Sequence, residues 1–290
     1  MSDEMSTETS DGFRVRVMRP DEVGLAADWA AAEGWNPGLA DAACFTTVDA
    51  DGFLIGELDG EPAATISVIN YDSRFAFLGF YIVRPDLRGR GYGWRIWQAG
   101  MAHAGDRVVG LDGVVAQQEN YQRSGFALAH RNIRFGGRIA APAAADASTV
   151  TSIGDELFEA IAAEDARVFP APREQFLRAW LRAPSHLGRA IVRDGELAAW
   201  GVIRPCRTGW KIGPLDAGDA TSADAVFAAL VAAAGGGEIF LDVPEPNRAA
   251  VALARARGLT PVFETARMYT GPIRAVALDR VFGVTTFELG

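Results

Sequence analysis

The segment Tyr81-Ile82-Val83-Arg84-Pro85-Asp86-Leu87-Arg88-Gly89-Arg90-Gly91-Tyr92-Gly93-Trp94 constrains the fold more than any other stretch of the chain. It closes an apolar run, Phe75 to Val83, that reads as a strand, and it opens a helical pattern from Tyr92 to Ala104. Glycines at 89, 91 and 93 strip side chains from the turn between the two, so backbone there can approach an anion closely. The first N–H groups of a helix have no intrahelical partner, and its dipole favours negative charge at that end. Arg88 and Arg90 add charge-assisted donors for phosphate oxygens. Together these features read as a cradle for a pyrophosphate.

Spacing excludes two other phosphate loops. A P-loop needs Gly-Lys followed by Ser or Thr, whereas Gly93 is followed by Trp94 and Arg95. A dinucleotide fingerprint needs Gly-x-Gly-x-x-Gly, and here the third glycine arrives one residue early. The preceding sheet is also expected to be antiparallel. Phe53 to Leu58 and Pro62 to Ile69 are joined by Asp59-Gly60, the strongest hairpin signal in the chain.

Elements of both kinds surround the cradle. Phe13 to Met18 alternates as a first strand and leads into an Ala-rich helix ending near Ala32. Downstream come a strand at Val108 to Val114, a short helical segment and a strand at Phe126 to Phe135. The Ala/Pro-rich stretch at 139–148 has no buried-face period and reads as a linker. Beyond it the theme repeats. Helices are expected near Gly154 to Ala166 and Pro172 to Leu181, with strands at Arg189 to Val192, Leu197 to Arg204 and Gly209 to Ile212. A helix at Ser222 to Ala234, a strand at Glu238 to Val243, a helix at Asn247 to Arg257 and a strand at Pro261 to Tyr269 follow. The predicted organisation is a disordered start at 1–12, a first domain at 13–138, the linker, and a second domain at 149–290.

Composition bounds the function classes. With 290 residues, 49% hydrophobic and 22% charged, the chain has ordinary globular usage and length for two domains. A net charge of −9 argues against a nucleic-acid surface. The polar start lacks the basic and apolar regions of a signal peptide, and no run approaches a membrane span, so a soluble cytoplasmic protein is expected. Cys44 and Cys206 read as buried thiols, and the three histidines and two cysteines lack ligand spacing, so no metal is expected.

The motifs Val83-Arg84-Pro85, Arg88 to Gly93 and Tyr121-Gln122-Arg123-Ser124-Gly125-Phe126 resemble those of the GNAT superfamily of N-acetyltransferases. The second half resembles a degenerate copy, as in tandem members. The resemblance implies an α+β fold of two GNAT-like domains, each a mixed, mainly antiparallel sheet flanked by helices. It implies acetyl-CoA as co-substrate, bound along Tyr81, Ile82 and Val83 at the pantetheine arm and by Arg88, Gly89, Arg90, Gly91, Tyr92, Gly93 and Trp94 around the pyrophosphate. It further implies that Tyr121 donates a proton to the departing CoA thiolate, and a phenol with pKa near 10 is a sensible acid for that task. The acceptor is expected to be a small-molecule or peptide amine, which the residues do not identify further. Oligomeric state is equally unreadable.

The base that deprotonates the amine is not evident, because Phe75 to Val83 contains no carboxylate. Asp112 is a candidate by position, with Glu119, Asn120 and Asp72 as alternatives, and a water relay would also serve. His103 and His130 read as structural. In the second half, the turn expected after Ile212 carries Asp216 and Asp219, which would repel a pyrophosphate, so CoA is not expected there. Asn247 reads as a helix cap. A competing class is an acyl-CoA-binding regulatory protein that retained the cradle without turnover.

Overall fold

Asp59 and Gly60 have φ of 53° and 84°, the left-handed pair that a two-residue hairpin turn requires. In the computed structural model, which describes residues 11–141 and 150–290, they join β2 (Phe53–Leu58) to β3 (Glu61–Asn70). This hairpin seeds the first half. β1 (Phe13–Val17) pairs antiparallel with β2, and β4 (Phe75–Val83) pairs antiparallel with β3. β5 (Val108–Val114) then pairs parallel with β4 after the crossover helix α3 (Tyr92–Ala104). Also in this half are α1 (Val23–Ala32), α2 (Asp41–Phe45), α4 (Gln118–Arg123) and β6 (Ala127–Ala140).

The second half runs β7 (Thr151–Ser152), α5 (Phe158–Val168), α6 (Glu174–Arg182), β8 (Leu187–Arg193), β9 (Glu196–Pro205) and β10 (Trp210–Ala217). It continues with α7 (Ala220–Ala233), β11 (Gly236–Pro244), α8 (Arg248–Ala256), β12 (Thr260–Tyr269) and β13 (Val281–Gly283). The architecture is α+β, a mixed and mostly antiparallel sheet flanked by helices.

The halves exchange their last long strands. The sheet order is β1-β2-β3-β4-β5-β12-β6-β11-β10-β9-β8-β7, with β13 beside β10. β12, from the second half, pairs with β5 of the first, while β6 of the first pairs with β11 of the second. Each half's sheet is therefore completed by the other. The largest core cluster spans both as well, packing Phe45 and Phe80 with Phe176, Trp180 and Trp200. Burying Phe45 or Phe176, each fully inside, contributes roughly 1.5–3 kcal/mol. Among the described residues, three buried ion pairs cross between the halves: Arg134–Asp242 at 2.6 Å, Arg204–Asp41 at 2.9 Å and Arg267–Asp112 at 2.6 Å.

Several sequence expectations are corrected. β6 continues to Ala140, into the stretch read as linker, because it has β11 to pair with along its whole length. Residues 142–149 and 1–10 lie outside the described residues. Asp11 is engaged at the start of the described chain, where Arg95 Nη1 donates to its carboxylate at 2.7 Å. β10 does not end at Ile212 but runs to Ala217, with a register shift between Ile212 and Leu215 that accommodates Pro214. Asp216 is therefore buried in a strand rather than placed on a turn. Asp219 caps α7, its carboxylate accepting from Ser222 N at 2.8 Å. α2, β7 and β13 are too short to have left a periodic signal. Among the described residues, no helix is long and apolar enough to cross a membrane.

Candidate active site

β4 and β5 are hydrogen-bonded only from Phe75↔Val108 to Leu78↔Leu111. Beyond that point they part, although β4 continues to Val83 and β5 to Val114. The cause lies in β4. Its register against β3 shifts between Thr65 and Ser67, and Phe80 takes φ of 46°, a left-handed conformation costing a non-glycine residue roughly 1–2 kcal/mol. Thr65 Oγ1 holds the bulge by donating to Phe80 O at 2.8 Å. The β5-facing edge of Tyr81, Ile82 and Val83 is thereby left without a partner strand.

A cleft of ≈ 430 Å³ opens along this splay. It is lined by Tyr81, Ile82, Val83, Arg88, Gly89, Gly91, Gly93, Trp94 and Tyr121, with Glu33 and Trp35 at its side. Gly91 is the N-cap of α3 at φ 88°, and no side chain caps the first-turn amides. A Cβ added at Gly89 or Gly91 would meet nothing within 4 Å, so the space above the turn is open. Gly93 serves packing instead, since its Cβ would lie 2.8 Å from the Tyr81 hydroxyl. Unpartnered amides at a helix N-terminus facing open space fit a pyrophosphate. Arg88 donates to Val83 O at 2.9 Å and pairs with Glu33, so an incoming phosphate competes with that carboxylate.

Not every residue of the sequence reading faces this cleft. Tyr92 turns its ring onto Phe13, stacked at 4.7 Å, and offers the cleft only backbone. Arg90 is exposed and does not line the cleft. Ile82 buries its side chain in the core shared by the two halves, leaving its main chain at the splay. Trp94 is 56% exposed at the rim.

Tyr121 sits on α4 with its ring stacked on Trp97 at 5.9 Å, and burial pushes its phenol up to about 12. Gly113 on β5 makes room for it, because a Cβ there would lie 2.2 Å from the ring. The phenol therefore stays protonated through the neutral range.

Asp112 is not placed as a base. Its Oδ2 is taken by Arg267 at 2.6 Å, and its Oδ1 accepts from Asn132 at 2.7 Å and Thr265 at 3.2 Å. The alternatives are spent too. Glu119 is exposed beside Arg123, Asn120 bonds Gln117, and Asp72 caps the β3–β4 turn by accepting from Phe75 N at 2.8 Å. His103 pairs with Asp49 at 2.8 Å, and burial holds His130 down to about 4. Among the described residues, no cluster of His, Cys, Asp or Glu could hold a metal ion.

The sequence reading passed over Glu288. It lines a narrow ≈ 30 Å³ space behind the cleft together with Tyr81, Asp112 and Tyr121. Its carboxyl is buried, neither oxygen has a hydrogen-bond partner, and burial raises its pKa against the pull of Lys211 and Arg134. The available signal was one carboxylate in the apolar run Val281 to Leu289.

The second half has the same parting of strands but fills it. β10 and β11 pair from Trp210↔Ile239 to Ile212↔Leu241, and β13 then occupies the gap, pairing Gly283 with Leu215 while Val284 N donates to Asp242 O at 2.8 Å. Asn247 caps α8 by accepting from Ala250 N at 3.1 Å, and its amide also donates to Val281 O at 2.9 Å, fixing this strand.

An open splay with a glycine-rich helix start in one half, and a self-filled splay in the other, define a tandem acyltransferase of the GNAT class. Family models agree: the GNAT acetyltransferase family matches residues 21–126, and a GNAT acetyltransferase domain matches residues 161–283. The chain is 32% identical to the holothin acyltransferase of Pseudoalteromonas sp. (strain SANK 73390) over 272 residues, covering 92% of this chain and 90% of that one. It belongs to the GNAT acyltransferase family, as a tandem member. A crystal structure from Pyrococcus horikoshii superposes with TM-score 0.82 at 20% identity, covering 100% of this chain and 99% of that one. A tandem GNAT protein from the clavulanic acid biosynthesis pathway superposes with TM-score 0.63 at 13% identity, covering 90% and 99%. These two likenesses establish the fold.

Proposed function

We propose that the protein is a cytoplasmic N-acetyltransferase that moves an acetyl group from acetyl-CoA to a primary amine of a small molecule or peptide. The site lies in the first unit, 13–138, and the second unit, 149–290, closes it from behind. The observation that carries this reading is the open β4–β5 splay with the Gly89–Gly93 turn at one end and Tyr121 facing it. Tyr81, Ile82 and Val83 offer main-chain groups to the pantetheine arm, and the α3 amides with Arg88 and Gly91 hold the pyrophosphate. Trp94 stands at the rim beside them. The α3 dipole favours negative charge at this end of the cleft.

Tyr121 acts as the acid for the leaving sulfur. The desolvation that raises the phenol also raises the basicity of a thiolate expelled beside it, so the two remain matched. Holothin, named in the similar bacterial acyltransferase, belongs in the acceptor panel.

The test is thiol release from acetyl-CoA, and from longer acyl-CoAs, across amines that include holothin. Tyr121→Phe is expected to lower kcat by about 10²–10⁴-fold with acetyl-CoA affinity unchanged by calorimetry. An unchanged kcat removes Tyr121 from the mechanism. The narrowness of the space behind the cleft favours a second reading, an acyl-CoA-binding regulatory protein. That reading predicts acetyl-CoA binding with no turnover on any amine.

A further inference from the structure

We propose that the second half of the chain limits the length of the acyl group, with Phe287 as the wall that admits acetyl and turns away longer chains. This rests on the acyl-transfer reading above and narrows the donor class of the same site.

Direction comes first. The glycine turn follows Val83, so a cofactor held there by its pyrophosphate runs back along β4 toward the last β4–β5 pair, Leu78↔Leu111. From Val83 back to Gly79 the strand covers at most about 13 Å, at roughly 3.3 Å per residue. The thioester end of the arm therefore points at the vertex of the splay. Trp35, Tyr81, Val114 and Tyr121 border both the cleft and the ≈ 30 Å³ space at that vertex, which makes the space the inner end of the cleft.

Size then decides what fits. A space of ≈ 30 Å³ equals about one water molecule's share of the liquid, and a methyl group has similar bulk. The methyl of an acetyl group fills it, and a further methylene meets the wall. That wall is Phe263 on β12 and Phe287 in the tail, both supplied by the second half. Two glycines at the vertex leave no spare room. A Cβ on Gly79 would lie 2.1 Å from the Glu288 carbonyl oxygen, and one on Gly113 would lie 2.2 Å from the Tyr121 ring.

The wall is held from several directions. Phe287 is only 7% exposed and packs on Phe263, with ring centres 6.4 Å apart. The Arg134 guanidinium covers both rings, at 4.8 Å from Phe287 and 5.7 Å from Phe263. Arg134 is itself fixed, donating to Asp242 at 2.6 and 2.8 Å and to Trp35 O at 2.6 Å. Backbone on either side of Phe287 is tied down as well. Arg173 donates to Thr285 Oγ1 at 2.8 Å and to Gly290 O at 3.1 Å, and Tyr71 donates to Leu289 O at 2.8 Å. Leu289 N donates to Thr286 Oγ1 at 2.9 Å, and upstream β13 is seated in the second half's own splay. One short segment thus fills the unused splay and bounds the used one. A half without a glycine cradle thereby takes part in choosing the donor.

The test compares kcat/KM for thiol release from acetyl-, propionyl- and butyryl-CoA, using the full chain and one amine of the acceptor panel throughout. A closed apolar pocket discriminates by about 10–200-fold per methylene. The wild type is therefore expected to use butyryl-CoA about 10²-fold less well than acetyl-CoA, or worse. Phe287→Ala is expected to raise the butyryl-to-acetyl ratio by about 10²-fold. Phe287→Leu keeps more of the core, is expected to raise the ratio by about tenfold, and carries the test if the alanine variant does not fold. Each ratio is taken within one preparation, so a loss of folded protein cancels. A wild type that uses butyryl-CoA as well as acetyl-CoA overturns the assignment, and so does a folded Phe287 variant with the wild-type ratio. A wild type that releases thiol from none of the three donors with any amine overturns the acyl-transfer reading instead.

Discussion

Replacing Asp112 with alanine separates a structural carboxylate from a catalytic one. Asp112 and Arg267 form a pair at 2.6 Å with side-chain exposures of 0% and 8%, joining β5 of the first half to the exchanged strand β12. Without Asp112, the guanidinium keeps only a 3.4 Å contact with the Tyr269 hydroxyl and the face of Phe77 at 5.0 Å. Its Nε is already unpartnered. Removing one partner of a buried pair costs about 3–5 kcal/mol. At roughly 2–4 °C per kcal/mol for chains of this order of size, Tm should fall by about 6–20 °C. Asn132 and Thr265 lose an acceptor at the same time, which pushes toward the larger figure. Differential scanning calorimetry measures the fall, and thiol release at a temperature where the variant stays folded measures turnover. Turnover per folded molecule should remain within about twofold, a change of less than 0.5 kcal/mol in the barrier. A variant with unchanged Tm and collapsed kcat would show that Asp112 is the base and that the ion-pair reasoning is wrong.

Two further outcomes follow from the same geometry. Gly91→Ala places a side chain at φ 88°, costing about 1–2 kcal/mol, and should weaken acetyl-CoA binding by roughly tenfold; an unchanged Kd by calorimetry would show that the turn is not the cradle. Asp216 is buried with Oδ2 unpartnered, and burial raises its pKa well above the usual carboxylate range. A raised carboxyl contributes stability below its unfolded pKa and loses it as pH rises toward the folded value. Asp216→Asn should therefore raise Tm more at pH 8 than at pH 4, and a gain independent of pH would contradict the argument.

Much of the site was written locally. The strand, the glycine turn and the helix from Phe75 to Ala104 are contiguous, so period, turn chemistry and helix start could be read together. Tyr121 could be placed at the cleft because its motif is also contiguous. The side-chain directions of Tyr92 and Arg90 were not, because whether a residue in a turn faces the ligand or Phe13 depends on β1, distant in sequence. Asp112 looked like a base because a strand carboxylate is legible, while the Arg267 that occupies it lies 155 residues away.

Sequence by itself determined the local elements and the glycine-rich turn, and it showed that only one half carries such a turn. These depend on backbone conformations that neighbouring residues set within a few positions. Tertiary structure alone decided that the halves exchange β6 and β12, that β13 fills the second splay, and that the backbone of Glu288 packs on Gly79 where the first begins. Each of these joins segments through strand pairing or burial across long stretches of chain. Such pairing depends on which unpaired edge is in reach once both sheets have formed, and no local pattern of residues encodes that.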